Sequence, residues 1–267
     1  MQILFIADVV GGPGRKAVKN LLPRFKEQNS IDFCIINGEN AAGGFGMTEE
    51  VAEELFAMGI DVITSGNHIW DRREILPYLQ GNPNLLRPVN YPPENPGHGS
   101  GIFKAVNGLP VGVINLQGRV FIKEIDCPFR TINSVVRQLK EETGLILVDF
   151  HAEATAEKVA MGWYLDGQVT AVIGTHTHVQ TADERVLPGG TGYITDAGMS
   201  GGIDGGIGIK KELAIRRFIT QTPNRFQPSD KSLVMMGVIL TVNPENCRTE
   251  KIERFQIPWS PEEQSSQ

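Results

Sequence analysis

Short runs of aliphatic and aromatic residues recur along the chain, and each ends in a polar or glycine-rich turn. They are ILFIADV from Ile3, DFCIINGEN from Asp32, DVITSGNH from Asp61, PVGVINLQG from Pro110, LILVDFHAE from Leu145, TAVIGTHTH from Thr170, GYITDAG from Gly192 and SLVMMGVILTV from Ser232. Near-continuous Ile, Val and Leu runs of this length read as strands buried on both faces. Helical patterns lie between several of them, over residues 14–28, 48–59, 71–80, 131–144 and 153–167. Thr48 reads as an N-cap with Glu49 and Glu50 in the first turn, Asp71 as the cap of the next helix, and Gly59 as a stop. Strand and helix in alternation make this an α/β chain with much parallel sheet.

No repeat of fixed period and no linker divides the 267 residues, so a single domain over 1–267 is expected, with a disordered tail from about residue 259. Two stretches break the pattern. Residues 82–101 are rich in proline and glycine and read as a long loop, a candidate lid. Residues 196–208, DAGMSGGIDGGIG, read as irregular. At 40% hydrophobic residues the chain can fill a sizeable core. A net charge of −6 and a pI near 5.5 argue against a large nucleic-acid-binding face, though not against a small nucleotide in a pocket whose metals supply the positive charge. Three scattered cysteines, no basic leader and no run long enough to span a membrane point to a reduced, cytoplasmic protein. A homo-oligomer is expected.

Polar groups fall where the strands end. Asp8 closes the first, Glu39 and Asn40 the second, Asn67 and His68 the third, His151 the LILVDFH run, and His176 and His178 the TAVIGTHTH run. Ligands of α/β sheets bind beyond the carboxyl ends of strands. Of the five histidines, only His98 lies outside this set. Taken singly, Asp8 is an ordinary cap, Glu39-Asn40 a turn, Asn67-His68 a loop, and His151 the edge of a core. Together they offer carboxylate oxygen, amide oxygen and imidazole nitrogen, which suit iron, manganese or zinc better than calcium or magnesium. A pair of metals needs a bridging carboxylate, and Glu39 is the candidate. A rival signal is Gly12-Pro13-Gly14-Arg15-Lys16-Ala17 after the first strand, a G-x-G-x-x-A dinucleotide pattern, but it leaves the histidines unexplained. No P-loop is present.

The blocks Ala7-Asp8-Val9-Val10, Asn37-Gly38-Glu39-Asn40, Gly66-Asn67-His68, Phe150-His151 and Gly174-Thr175-His176-Thr177-His178 occur in the order of the calcineurin-like metallophosphoesterase superfamily. The chain resembles its bacterial YmdB-like branch most. Two departures stand out: Val10 occupies the place of a histidine ligand, and Glu39 that of the bridging aspartate. The resemblance implies a four-layer αββα sandwich with two mixed β-sheets. It implies Asp8, Glu39, Asn40 and His178 around one metal and Glu39, Asn67, His151 and His176 around the other. The metals would be iron (Fe2+/Fe3+) or, alternatively, Mn2+. His68 would be the catalytic proton donor, and Asn40 and His68 would touch substrate. The implied activity is hydrolysis of phosphodiesters of small nucleotides, 2′,3′-cyclic nucleotides foremost, with a metal-bound hydroxide as nucleophile. A regulatory protein with a decayed metal site and a phosphomonoesterase are the alternatives. Arg119 reads as a surface arginine that could reach a substrate phosphate, and His98 as an exposed loop residue.

Overall fold

The computed structural model describes residues 1–223 and 226–260. The first half of the chain runs β1 (Gln2–Ile6), β2 (Asp8–Val9), α1 (Gly11–Gln28), β3 (Phe33–Asn37), α2 (Glu49–Ala57), β4 (Val62–Thr64), two 3-10 turns (Asn67–Trp70 and Arg73–Ile75), α3 (Leu76–Gly81), β5 (Ser100–Lys104) and β6 (Pro110–Gln117). It continues through α4 (Pro128–Leu139), β7 (Ile146–His151), α5 (Thr155–Leu165), β8 (Ala171–Thr175), β9 (Arg185–Val186) and β10 (Gly192–Ile194). The last part holds β11 (Met199–Gly202), β12 (Gly205–Gly206), β13 (Ile209–Lys210), α6 (Lys211–Thr220), β14 (Leu233–Asn243) and β15 (Arg248–Pro258).

These strands form two mixed sheets. In the first, the order is β2-β11-β14-β1-β3-β4, with β15 on β14; β1, β3 and β4 are parallel, and β14 runs antiparallel to β1. In the second, the order is β5-β6-β7-β8-β10-β9, parallel from β6 to β10 with an antiparallel strand at each edge. Strand periodicity divides the side chains among three apolar layers. Ile3, Phe5, Phe33, Ile35, Val111, Val113, Leu147 and Ile173 meet between the sheets. Their alternates Leu4, Ile6, Cys34 and Ile36 pack under Val18, Leu22 and Leu55 of α1 and α2. Ile114, Val148 and Val172 pack under Ile132, Val136 and Met161 of α4 and α5. Burial on both faces explains the unbroken apolar runs, and the result is the four-layer αββα sandwich.

Thr48 caps α2, its hydroxyl accepting from Val51 N at 3.3 Å, and Gly59 ends the turn after it at φ +85°. Other expectations change. Asp71 does not open the next helix; it closes the 3-10 turn Asn67–Trp70, and the rest of the 71–80 pattern breaks into a short 3-10 turn and the six-residue α3. The 196–208 stretch is not irregular, since Met199–Gly202 pairs with β2 and β14 and Gly205–Gly206 with β13. β15 was hidden by its charge: it is an edge strand whose residues are mostly exposed. Trp259, where the tail was expected to begin, donates its backbone N–H to Leu233 O at 2.8 Å and lies under Lys16 Nζ. The remainder of that tail, 261–267, falls outside the described residues. No described helix is long and apolar enough to cross a membrane.

Candidate metal centre

β3, β4, β7 and β8 run parallel within their sheets, so their carboxyl ends present the turns that carry Glu39, Asn67, His151 and His176. Asp149 stitches the two sheets at this edge. Its carboxylate accepts from Asn37 Nδ2 at 2.9 Å, Thr64 Oγ1 at 2.5 Å and Thr175 Oγ1 at 2.6 Å. Burial pushes its pKa up to about 6, against the pull of His151 and the two threonines.

Thr175 has one hydroxyl proton and gives it to Asp149, so it accepts from His151 Nδ1 at 3.0 Å. That leaves the lone pair of His151 Nε2 facing Glu39 Oε1 at 3.1 Å, Asn67 Oδ1 at 3.1 Å and His176 Nδ1 at 3.0 Å. His176 is turned by Glu153, whose Oε2 lies 3.1 Å from its Nε2. Glu39, His151 and His176 each bring one donor atom within 4.8 Å of the others. Acceptors packed this closely repel one another unless a cation or a proton sits among them.

A second group adjoins the first. His178 Nδ1 donates to Ile207 O at 3.0 Å, so its Nε2 is bare toward Asp8 Oδ2 at 3.4 Å. Asn40 Nδ2 stands 3.1 Å from both His178 Nε2 and Glu39 Oε1. In this pose Asn40 offers a donor; a half-turn of the amide brings its Oδ1 to the same point. Asp8 Oδ1 is buried with no hydrogen-bond partner. An orphaned carboxylate oxygen costs about 1–3 kcal/mol or more, and a cation beside it removes that cost. These nitrogen and oxygen donors therefore suit divalent metal ions. Val10, where the superfamily has a histidine, is buried, and its side chain packs toward Gly201 and Gly208 instead.

Without metal, protons take the cations' place. Burial resists charge on Glu39, yet His151 and the backbone N–H of His68 hold its carboxyl well below the usual range. Burial likewise resists charge on His151, but Glu39 and then Asp8 raise it. At His178 burial loses to Asp8, which lifts the imidazole to about 9. At His176 burial and His151 act together and depress it to about 3.

The backbone is shaped to this cluster. His176 and His178 hold φ +104° and +65°, costly for residues with a Cβ and frequent at functional sites. A Cβ on Gly66 would lie 2.3 Å from Glu39 Oε2 and His151 Nε2, so only glycine lets this turn approach. Thr177 N donates to Asp196 Oδ2 at 3.0 Å, and Lys158 Nζ meets the same oxygen at 2.6 Å, both charges being buried. His68 lies at the rim. Its backbone N–H donates to Glu39 Oε2 at 3.1 Å, and its Nδ1 faces Asp71 Oδ2 at 2.8 Å, which leaves Nε2 free.

A cavity of 290 Å3 opens over these groups and includes Glu39, Asn40, His68, Glu153, His176 and His178 in its lining. A larger hollow of 670 Å3 beyond Trp70 contains none of the candidate ligands and is not the chemical site. Arg119 lines a separate hollow with Cys127 and Arg130. His98 is exposed, its carbonyl accepting from Arg87 N at 2.9 Å.

The profile of YmdB-like proteins matches residues 4–255. The chain belongs to the YmdB-like family. This YmdB-like chain is 49% identical over 257 residues to the 2′,3′-cyclic-nucleotide 2′-phosphodiesterase of Bacillus subtilis, covering 96% of this chain and 97% of that protein. Among solved structures, a hypothetical protein from Thermus thermophilus superposes with a TM-score of 0.90 at 38% identity, over 97% of this chain and all of that one. A structure described as a novel phosphatase from Mycoplasma pneumoniae also gives 0.90, at 33% identity, over 99% of this chain and 96% of that one. The YmdB-like chain is a metallophosphoesterase, and that fold implies divalent metal ions. The dinucleotide reading of Gly12 to Ala17 falls away. Gly14 is glycine because a Cβ there would lie 2.3 Å from Ser200 O, where α1 crosses β11.

Sequence reasoning did not find Glu153, Asp71, Asp149 or the Lys158–Asp196 pair. Glu153 had a weak signal, two residues after His151. The others are ordinary charged residues whose partners lie far along the chain or, for Asp71, across a turn read as a cap.

Proposed function

We propose that this protein hydrolyses phosphodiester bonds of small nucleotides, 2′,3′-cyclic nucleotides foremost. The observation that carries the reading is the meeting of Glu39 Oε1, Asn67 Oδ1, His151 Nε2 and His176 Nδ1 beside the Asp8–His178 pair, with His68 at the rim of the same cavity. On this reading Asp8, Glu39, Asn40 and His178 would hold one metal, and Glu39, Asn67, His151 and His176 would hold the other. When bound, such a pair neutralises phosphate charge and makes water a nucleophile near neutral pH. Iron suits this mixed nitrogen–oxygen set, and Mn2+ is the alternative.

The protein's own groups do the rest. Glu153 fixes the His176 ring so that Nδ1 faces inward, as second-layer carboxylates do for metal-bound imidazoles. Thr175 does the same for His151. His68, oriented by Asp71, holds a proton on Nε2 and gives it to the leaving alkoxide. Asn40 and His68 contact the phosphate. The name of the Bacillus subtilis relative supports the choice of a 2′,3′-cyclic substrate.

The test is elemental analysis of the purified protein with a turnover screen of 2′,3′- and 3′,5′-cyclic nucleotides and nucleoside monophosphates. Two metals per chain and preference for the 2′,3′-cyclic diesters are expected. Preference for monophosphates would replace this reading with a phosphomonoesterase. Full metal occupancy without turnover of any substrate would replace it with a regulatory role.

A further inference from the structure

Part of the cavity wall has no role in the chemistry above. It is made by Phe45, Phe226, Ile207, Ile209 and Arg217. Phe45 packs against Phe226 at 4.2 Å between ring centroids and against His68 at 4.9 Å. The seat of Phe226 is built for it: Gly44 holds φ +104°, and a Cβ there would lie 2.3 Å from the Phe226 ring. Both residues are half-buried, and both line the cavity.

Arg217 projects from α6, a helix with no buried residue. Among the described residues its guanidinium has no hydrogen bond or ion pair, although it shares a cavity with Glu39 and Glu153. Arg217 is exposed, so its guanidinium is available to an anion in the cavity. The segment that carries it is tied to the centre, since Ile207 O accepts from His178 Nδ1 at 3.0 Å.

At 290 Å3 the cavity is at the small end for ligand sites. A mononucleotide whose phosphate reaches the candidate ligands fills it and must touch the remaining walls. Aromatic faces bind bases by stacking whatever the base, and a guanidinium matches phosphate oxygens in a two-pronged contact.

We propose that Phe45 and Phe226 form the seat of the nucleobase and that Arg217 grips an oxygen of the substrate phosphate, so that the protein selects nucleoside phosphodiesters over diesters lacking a base. The proposal rests on the phosphodiesterase reading. It assigns substrate selection to Phe45, in the loop after β3, and to Arg217 and Phe226, which lie far from it in sequence.

The experiment uses the metal-loaded full chain with two substrates, adenosine 2′,3′-cyclic monophosphate and glycerol 1,2-cyclic phosphate, the second having no base. Phe226→Ala, and Phe226→Leu to keep bulk in the Gly44 seat, are expected to lower the ratio of kcat/KM between the two by about tenfold or more. Arg217→Gln is expected to lower kcat/KM on both by about tenfold, and Arg217→Lys to recover part of it, since lysine keeps charge without the fork. Calorimetric binding of adenosine 3′-monophosphate and of inorganic phosphate repeats the comparison without turnover. Equal losses on the two substrates in both Phe226 variants would overturn the base seat. Unaltered phosphate binding in Arg217→Gln would overturn the grip. If the unmutated protein turned over neither substrate, the phosphodiesterase reading would fall. The binding measurement would still decide the subsite, because nucleotide binding indifferent to Phe226→Ala refutes it.

Discussion

Glu153 Oε2 lies 3.1 Å from His176 Nε2, on the ring nitrogen turned away from His151. A carboxylate there accepts a hydrogen bond from Nε2–H and leaves Nδ1 bare, the tautomer that a metal at this position would require. Glu153→Gln keeps the shape and loses the charge. Metal affinity or kcat/KM is expected to fall by about ten- to a hundredfold, the usual cost of removing such a partner. Titration with a competing chelator reads the affinity, and wild-type affinity together with wild-type rate would show Glu153 to be a bystander.

His68 and Asp71 make a second pair, 2.8 Å apart. A general acid contributes roughly a hundred- to ten-thousandfold, but only where the leaving group needs a proton. His68→Ala is therefore expected to lose far more rate on cyclic nucleotides, which expel an alkoxide, than on bis-p-nitrophenyl phosphate. Asp71→Asn should show the same pattern more weakly. Equal losses on both esters would remove His68 from the proton-donor role.

Metal loading should depend on pH with a definite sign. Although burial opposes it, Asp8 lifts His178 to about 9 in the metal-free chain, so a metal must displace a proton there. His176, depressed to about 3, is neutral at pH 7 and has no proton on Nδ1 to displace. Apparent affinity is expected to rise between pH 7 and pH 9, by up to about tenfold per unit for one released proton, and to level off above. The stability that this proton lends the metal-free fold runs the other way: it is fully present below the unfolded-state value of His178 and lost as pH rises through about 9. Metal binding flat across this range would contradict the assignment of His178 as a ligand.

Lys158 and Asp196 form a buried pair at 2.6 Å, and Asp196 also receives the N–H of Thr177, between His176 and His178. Lys158→Met strands a buried carboxylate and should cost about 3–5 kcal/mol in chemical denaturation. Adding Asp196→Asn should recover part of that loss. Metal affinity should fall in the single variant as well, since the turn bearing both histidines loses its anchor. A single variant as stable as wild type would show that the pair contributes little to the fold.

Much of this protein was legible in local pattern. Apolar runs such as ILFI and ILVDF mark strands because burial on both faces demands them, and Asp8, Glu39, Asn67, His151, His176 and His178 stand out because each follows such a run. The order of those blocks carried the family resemblance, and with it the four-layer architecture. Tertiary structure alone decided the rest. Glu153 meets His176 because parallel strands deliver their turns to one edge, and Lys158 meets Asp196 because α5 packs beside the turn that follows β10. Asp149 joins the sheets because β3, β4 and β8 end beside β7. Phe226 and Arg217 reach the cavity from beyond the 196–208 stretch, at positions no local pattern marks. The physical reason is the same in each case. Strand and cap signals arise from a residue and its near neighbours, whereas a buried charge, a ring tautomer or a cavity wall is set by groups that only folding brings within a few ångströms.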